Sequence, residues 1–179
     1  MILTQDPSLE GHRLKLIEQM AQALHHVHQQ GFIHRDTCPR NFICLSGATE
    51  LKLIDFGLTL PAQPAFTQPG NRTGTPLYMA PEIIRRRKTD FRVDIFAFGV
   101  TAFQLCTFGF PWPVGDASGA AALTHDTKPP TDICKLCPSI DKKIARTIMQ
   151  CLAANPLDRP ESLEVVLRAV RAAPKKTAF

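Results

Sequence analysis

His34-Arg35-Asp36-Thr37-Cys38-Pro39-Arg40-Asn41 decides how the rest of the chain is read. A carboxylate at Asp36 and a carboxamide at Asn41 stand five residues apart around Pro39, which resists regular helix. Taken alone, either side chain is an ordinary turn cap. Just upstream, Ile17, Met20, Ala21, Leu24, Val27 and His28 recur at helical spacing, which predicts a helix over residues 14–30 stopped by Gly31. Just downstream, residues 42–45 and 51–54 read as two short strands, with Ser46-Gly47-Ala48-Thr49 as the turn of a hairpin.

Farther along, residues 58–76 carry Pro61, Pro64, Pro69 and Pro76 with Gly70 and Gly74, which makes a regular helix there implausible. A loop of that length in a small domain is usually functional or mobile. After Pro81 the chain turns helical again. Residues 93–108 are almost wholly apolar after Asp94, so a helix buried on all sides is expected there, too short to cross a membrane. Residues 109–139 are rich in Pro and Gly. Two more helices are expected near 140–152 and 162–170, separated by Asn155-Pro156-Leu157-Asp158-Arg159-Pro160. The fold class is therefore mostly α with a small β hairpin, an α+β arrangement.

Composition narrows the function classes. Lys plus Arg number 21 and Asp plus Glu 16, a formal charge of +5. That excess is too small and too scattered to argue for nucleic acid. The first residues have no signal-peptide pattern and no apolar run reaches a membrane span, so a cytoplasmic location is expected. The six cysteines lack the density of a disulfide scaffold and are read as reduced thiols; Cys134 and Cys137 form one CxxC without matching ligands nearby. The run Arg85-Arg86-Arg87-Lys88 reads as a solvated helix face, or as an attractor for acidic substrate residues or a phosphate.

His34-Arg35-Asp36 with Asn41, then Asp55-Phe56-Gly57 after an apolar strand, then Ala80-Pro81-Glu82 closing the proline-rich loop, come in a fixed order. This set resembles the signature of the protein kinases: catalytic loop, metal-binding DFG and the end of the activation segment. The resemblance covers nearly the whole chain and implies a kinase C-terminal lobe over 1–172. Within it lie the catalytic loop 34–41, the activation segment 55–82, a helical subdomain 83–172, and then a frayed tail over 173–179.

The resemblance also implies roles. Asp36 would orient the acceptor hydroxyl and take its proton, and Asn41 and Asp55 would hold magnesium. Ile43 would floor the adenine of ATP, which Asp55 approaches through the metal. Phe56 would set active or inactive geometry, with Gly57 beside it in the activation segment and His34 packing structurally near Phe56. Arg35 would face a phosphate on the activation segment, where Thr67 or Thr73 is the candidate phosphosite. Thr75 would contact Asp36, Glu82 would pair with Arg159, and Asp94 would anchor the catalytic-loop backbone.

The sequence departs from the family pattern at Cys38, where serine/threonine kinases usually carry a lysine. Arg40 stands where tyrosine kinases often have an arginine, and is expected to replace part of the missing charge. The Gly74-Thr75-Pro76-Leu77-Tyr78-Met79-Ala80-Pro81-Glu82 segment is of the serine/threonine kind, so a Ser/Thr acceptor on a protein substrate is expected. No glycine-rich loop and no strand lysine with a helix glutamate occur among these residues; Gly11, Gly31 and Gly47 are isolated. The expectation is a chain that lacks one wall of the nucleotide cleft, exposes apolar surface where an N-terminal lobe would pack, and has weak or no activity alone. The alternative is a pseudokinase or interaction scaffold without turnover.

Overall fold

The computed structural model describes residues 6–45, 50–70, 72–114 and 120–173. The expected hairpin turn at Ser46 to Thr49 and the tail beyond residue 173 lie outside the described residues. Among the described residues six α-helices and four strands alternate unevenly: α1 (Arg13–Gln29), β1 (Phe32–Ile33), β2 (Phe42–Leu45), β3 (Glu50–Leu53), β4 (Leu60–Pro61), α2 (Pro81–Ile84), α3 (Arg92–Thr107), α4 (Ile133–Leu136), α5 (Lys142–Cys151) and α6 (Leu163–Arg171). Helix dominates and the strands form only two-stranded pairs, as the expected α+β class requires.

Helix α3 is the axis of the molecule. Every residue from Val93 to Cys106 is buried. A fully buried Ile, Leu or Phe contributes roughly 1.5–3 kcal/mol over an exposed one, so Ile95, Phe96, Phe98, Phe103 and Leu105 make this helix the main apolar store of the fold. Helix α5 packs along it, close enough that a Cβ on Gly99 would sit 2.7 Å from the Cβ of Cys151. Only a residue without a side chain permits that approach. Helix α1 lies against α3, α6 and β3, with Leu16, Ile17, Met20, Ala21 and Leu24 turned inward. It ends as expected, with Gly31 at φ +78 donating its N–H to His28 O at 2.9 Å.

The amphipathic helices α5 and α6 complete the core from outside. Asp141 caps α5 by accepting from the amides of Lys143 and Ile144. Three aromatic rings close the end nearest α2: Trp112 packs tilted against His125 at 4.3 Å between centroids, and both rings contact Phe96. The indole N–H donates to Lys128 O, and His125 Nδ1 donates to Met79 O at 3.0 Å. Burial pushes the His125 imidazole below its ordinary pKa.

The hairpin of β2 and β3 pairs Phe42 with Leu53 and Leu45 with Glu50, antiparallel. Phe42, Cys44, Leu51 and Leu53 face the body of the protein, while Ile43 and Leu45 point outward. A second pair went unanticipated: β1 bonds to β4, matching Phe32 with Pro61 and Ile33 with Leu60. It ties the start of the proline-rich loop to the chain just before His34. That loop contains no long helix, but its end folds into a single 3-10 turn at Pro76–Tyr78.

Candidate active site

Asp94 is fully buried at the head of α3 and its carboxylate is saturated. Oδ2 accepts the His34 N–H at 2.7 Å and His28 Nε2 at 2.9 Å; Oδ1 accepts the Arg35 N–H at 2.8 Å and lies 3.5 Å from Thr37 Oγ1. Charge-assisted bonds to backbone amides are about twice as strong as neutral ones, so this one side chain fixes where the loop leaves β1. Arg35 needs such fixing, because its φ of +71 is in the left-handed region, which costs a non-glycine residue roughly 1–2 kcal/mol. His28 belongs to this anchor. Helical periodicity counts it only as an inward position, and its polar partner lies 66 residues away.

Asp36 is pinned from two sides. Its Oδ1 accepts both the Thr75 N–H at 2.8 Å and the Thr75 hydroxyl at 2.7 Å. Its Oδ2 accepts from Asn41 Nδ2 at 2.9 Å, and the same Nδ2 bonds the Asp36 carbonyl at 2.7 Å. Arg40 Nη2 donates to Thr75 Oγ1 at 3.2 Å, and Cys38 Sγ lies 3.5 Å from the same oxygen. Asp36, Cys38, Arg40, Asn41 and Thr75 are thus one cluster. Cys38 itself is buried and Arg40 is exposed.

Gly74 makes this docking possible. It sits at φ +119, and a Cβ there would come within 2.8 Å of Arg35 O. Any side chain would lift Thr75 away from Asp36. Past Thr75, Tyr78 donates its hydroxyl to Gln104 Oε1 of α3 at 2.6 Å, and burial raises the phenol above its usual pKa. This second tether of the segment had no signal in the sequence.

Asp55 stands at the end of β3 with φ +62, another strained non-glycine residue of the kind that gathers at functional sites. The Ile54 N–H donates to Asn41 O at 2.9 Å, so Asn41 and Asp55 occupy adjoining strand ends. The Asp55 carboxylate is exposed, with Oδ1 accepting only the Gly57 N–H, at 3.2 Å. Asn41 turns its Nδ2 to Asp36, which leaves its side-chain Oδ1 without a hydrogen-bond partner among the described residues. Hard oxygens on a rigid support suit magnesium.

Phe56 is 51% exposed, with its ring edge-on to His34 at 5.2 Å. His34 Nε2 also contacts Ile54 O at 3.3 Å. Ile43 is 44% exposed on the outer face of the hairpin, opposite Lys52. Leu45 and Ile54 are exposed nearby, and a cleft between α1 and β3 opens beside them, lined by Ala23, Val27, Leu51, Leu53 and Phe56.

Glu82 and Arg159 meet in a buried bidentate pair at 2.7 and 2.8 Å. Arg159 also donates to the carbonyls of Arg92, Ala153 and Ala154, and its guanidinium lies over Phe96 at 4.9 Å. This seals the end of the activation segment onto the helical body. The Arg35 guanidinium makes no hydrogen bond or ion pair among the described residues. Thr67 is 7% exposed, and its carbonyl holds the Thr89 N–H at 2.9 Å; Thr73 is half-buried. Of the two candidate phosphosites, Thr67 is therefore closed to a modifying enzyme in this conformation.

A carboxylate gripped by the segment's threonine, beside two oxygen donors at adjoining strand ends and a buried Glu–Arg seal, is the arrangement that the resemblance to the protein kinases implies. Comparison with known proteins agrees: the family model for the protein kinase domain matches residues 2–169. The serine/threonine-protein kinase pkn3 of Myxococcus xanthus is 34% identical over 183 residues, covering 95% of this chain and 33% of that protein. Pkn1 of the same organism is 31% identical, over 93% of this chain and 25% of that protein. The DNA damage-responsive serine/threonine-protein kinase RqkA of Deinococcus radiodurans is 34% identical, over 79% of this chain and 21% of that protein. The chain belongs to the protein kinase family. It spans between a fifth and a third of the length of these relatives. No helix among the described residues is long and apolar enough to cross a membrane.

Proposed function

We propose that these residues form the catalytic lobe of a serine/threonine protein kinase, which moves the γ-phosphate of ATP to a hydroxyl of a protein substrate. The observation that carries this reading is the grip of Thr75 and Asn41 on the Asp36 carboxylate, 2.7–2.9 Å on each side. A carboxylate so held is aimed before the substrate arrives. It orients the acceptor hydroxyl and takes its proton as the oxygen attacks, a contribution of about 10²–10⁴ in rate.

Magnesium would be held by the free oxygen of Asn41 and the Asp55 carboxylate, and would supply charge neutralisation on the phosphate oxygens. Arg40 brings a positive charge to the Asp36–Thr75 pair, where Cys38 provides none. Ile43 offers an apolar floor for the adenine, and Arg35 is poised for a phosphate on the activation segment, with Thr73 the more accessible acceptor. The exposed face of Ile43, Leu45, Ile54 and Phe56 is suited to packing against a second, glycine-loop-bearing lobe.

The test is phosphate transfer from Mg-ATP by the full-length gene product, with Asp36→Asn as control. Turnover should fall by about 10²–10⁴; unchanged turnover in the variant refutes the role of Asp36. Arg40→Ala should lower kcat with little change in stability. Added to the 179-residue chain alone, Mg-ATP should leave the melting temperature almost unmoved, and a shift at micromolar nucleotide overturns the expected dependence on a second lobe. The half-exposed apolar face also favours a second reading, an interaction module without turnover, which predicts no transfer from any form.

A further inference from the structure

The run at residues 85–88 is not a helix face. Helix α2 ends at Ile84, and Arg86 takes the left-handed conformation at φ +52, so the run forms an exposed turn. This turn is stitched to the activation segment at two points: Arg72 Nε donates to Ile84 O at 2.8 Å, and the Thr89 N–H donates to Thr67 O at 2.9 Å. Arg72 lies three residues before Thr75, whose hydroxyl sits on Asp36. The basic turn therefore flanks the segment that ends at the proposed catalytic carboxylate.

Its charges are uneven in use. Arg85 is spent on Asp126 in a bidentate pair at 2.7 and 2.8 Å, which holds that carboxyl below its usual pKa, Arg87 adding a smaller pull. Asp90, the next carboxylate along, is paired with Arg92 at 2.6 Å. Among the described residues the side chains of Arg86, Arg87 and Lys88 make no hydrogen bond or ion pair, and Arg72 makes only its bond to Ile84 O. The segment beside them offers no partner, since residues 56–81 contain no Asp or Glu. Glu82, at its end, is consumed by Arg159.

We infer that Arg72, Arg86, Arg87 and Lys88 form a specificity strip for protein substrates whose acceptor residue is flanked by Asp or Glu. The inference rests on the kinase reading for what is docked, and on the geometry alone for where. Four exposed cations that make no ion pair among the described residues attract a carboxylate from outside.

Binding tests this without turnover. Two labelled peptides of equal length, one serine flanked by glutamates and the other by glutamines, are titrated into the phosphatase-treated protein and followed by fluorescence anisotropy. At low salt the glutamate peptide should bind about tenfold tighter, the scale that three exposed charge pairs supply. High salt should erase the difference. The R86A/R87A/K88A variant should lose it, while K142A/K143A, which removes two exposed cations from α5, should keep it. Arg87→Glu alone, a single surface change, should weaken the glutamate peptide and serves if the triple variant misfolds. Equal affinity for the two peptides, or an advantage intact in both strip variants, overturns the inference. Selective binding with no phosphate transfer in the full-length protein would leave the strip standing and remove the kinase reading.

Discussion

The two sides of this lobe treat polar and apolar groups in opposite ways. Around α3, two buried charged side chains are richly partnered: Asp94 holds two backbone amides and His28, and Arg159 spends its guanidinium on Glu82 and three carbonyls. Around the β2–β3 hairpin, apolar side chains are left outside, with Ile43, Leu45, Ile54 and Phe56 each more than a third exposed. Buried charge costs desolvation and returns fixed geometry. Exposed apolar surface costs solubility and suits a partner surface. The first side holds the site in place; the second is the face proposed to pack against another lobe.

The largest test of that contrast removes one half of the buried pair. Arg159→Ala should destabilise the protein by about 3–5 kcal/mol in chemical denaturation, because Glu82 is left charged and alone. Replacing both partners by apolar residues of similar volume should recover much of the loss; a double variant as weak as the single one breaks the account. Gly99→Ala comes next. It drives a methyl into Cys151 and should cost about 1–3 kcal/mol in the same measurement.

His125 gives a smaller, pH-dependent effect. Its folded pKa lies below the unfolded value of 6.5, so the unfolded chain binds more protons as pH falls through that value. Stability is complete above pH 6.5 and declines on acidification, by at most about 1.4 kcal/mol per pH unit for one proton. His125→Phe should flatten the part of the melting-temperature profile between pH 7 and 5 that belongs to this group. At the bottom of the scale, Ile43→Thr on the open hairpin face should change stability by no more than about 0.5 kcal/mol. A cost near that of a core isoleucine such as Ile95 would mean the hairpin face is not open at all.

The groups that meet at the site were more legible than its supports. Asp36, Asn41, Asp55, Thr75 and the Glu82–Arg159 pair were readable because each belongs to a short motif whose neighbours fix its meaning. Helices α1 and α3 were readable because long apolar patterns carry strong periodic signal. The β1–β4 pair was invisible: two residues per strand show no alternation, and the partners lie far apart in sequence. Tyr78 on Gln104 and His28 on Asp94 were missed for a related reason, since a buried polar contact between distant residues leaves no local pattern. The basic run was misjudged as helical because the local charge count carries no sign that α2 stops at Ile84. Arg35 and Ile43, whose proposed partners are a phosphate and a nucleotide, make no contact within the lobe that bears on those roles.

Trp112 is the chain's one tryptophan, and its ring lies tilted against His125, 4.3 Å between centroids, between Phe96 and the activation segment's end. An imidazolium against an indole quenches its emission, whereas a neutral imidazole does so far less. The fold therefore carries its own optical gauge: the fluorescence of a single residue reports, without any label, both the charge on His125 and the seating of Met79.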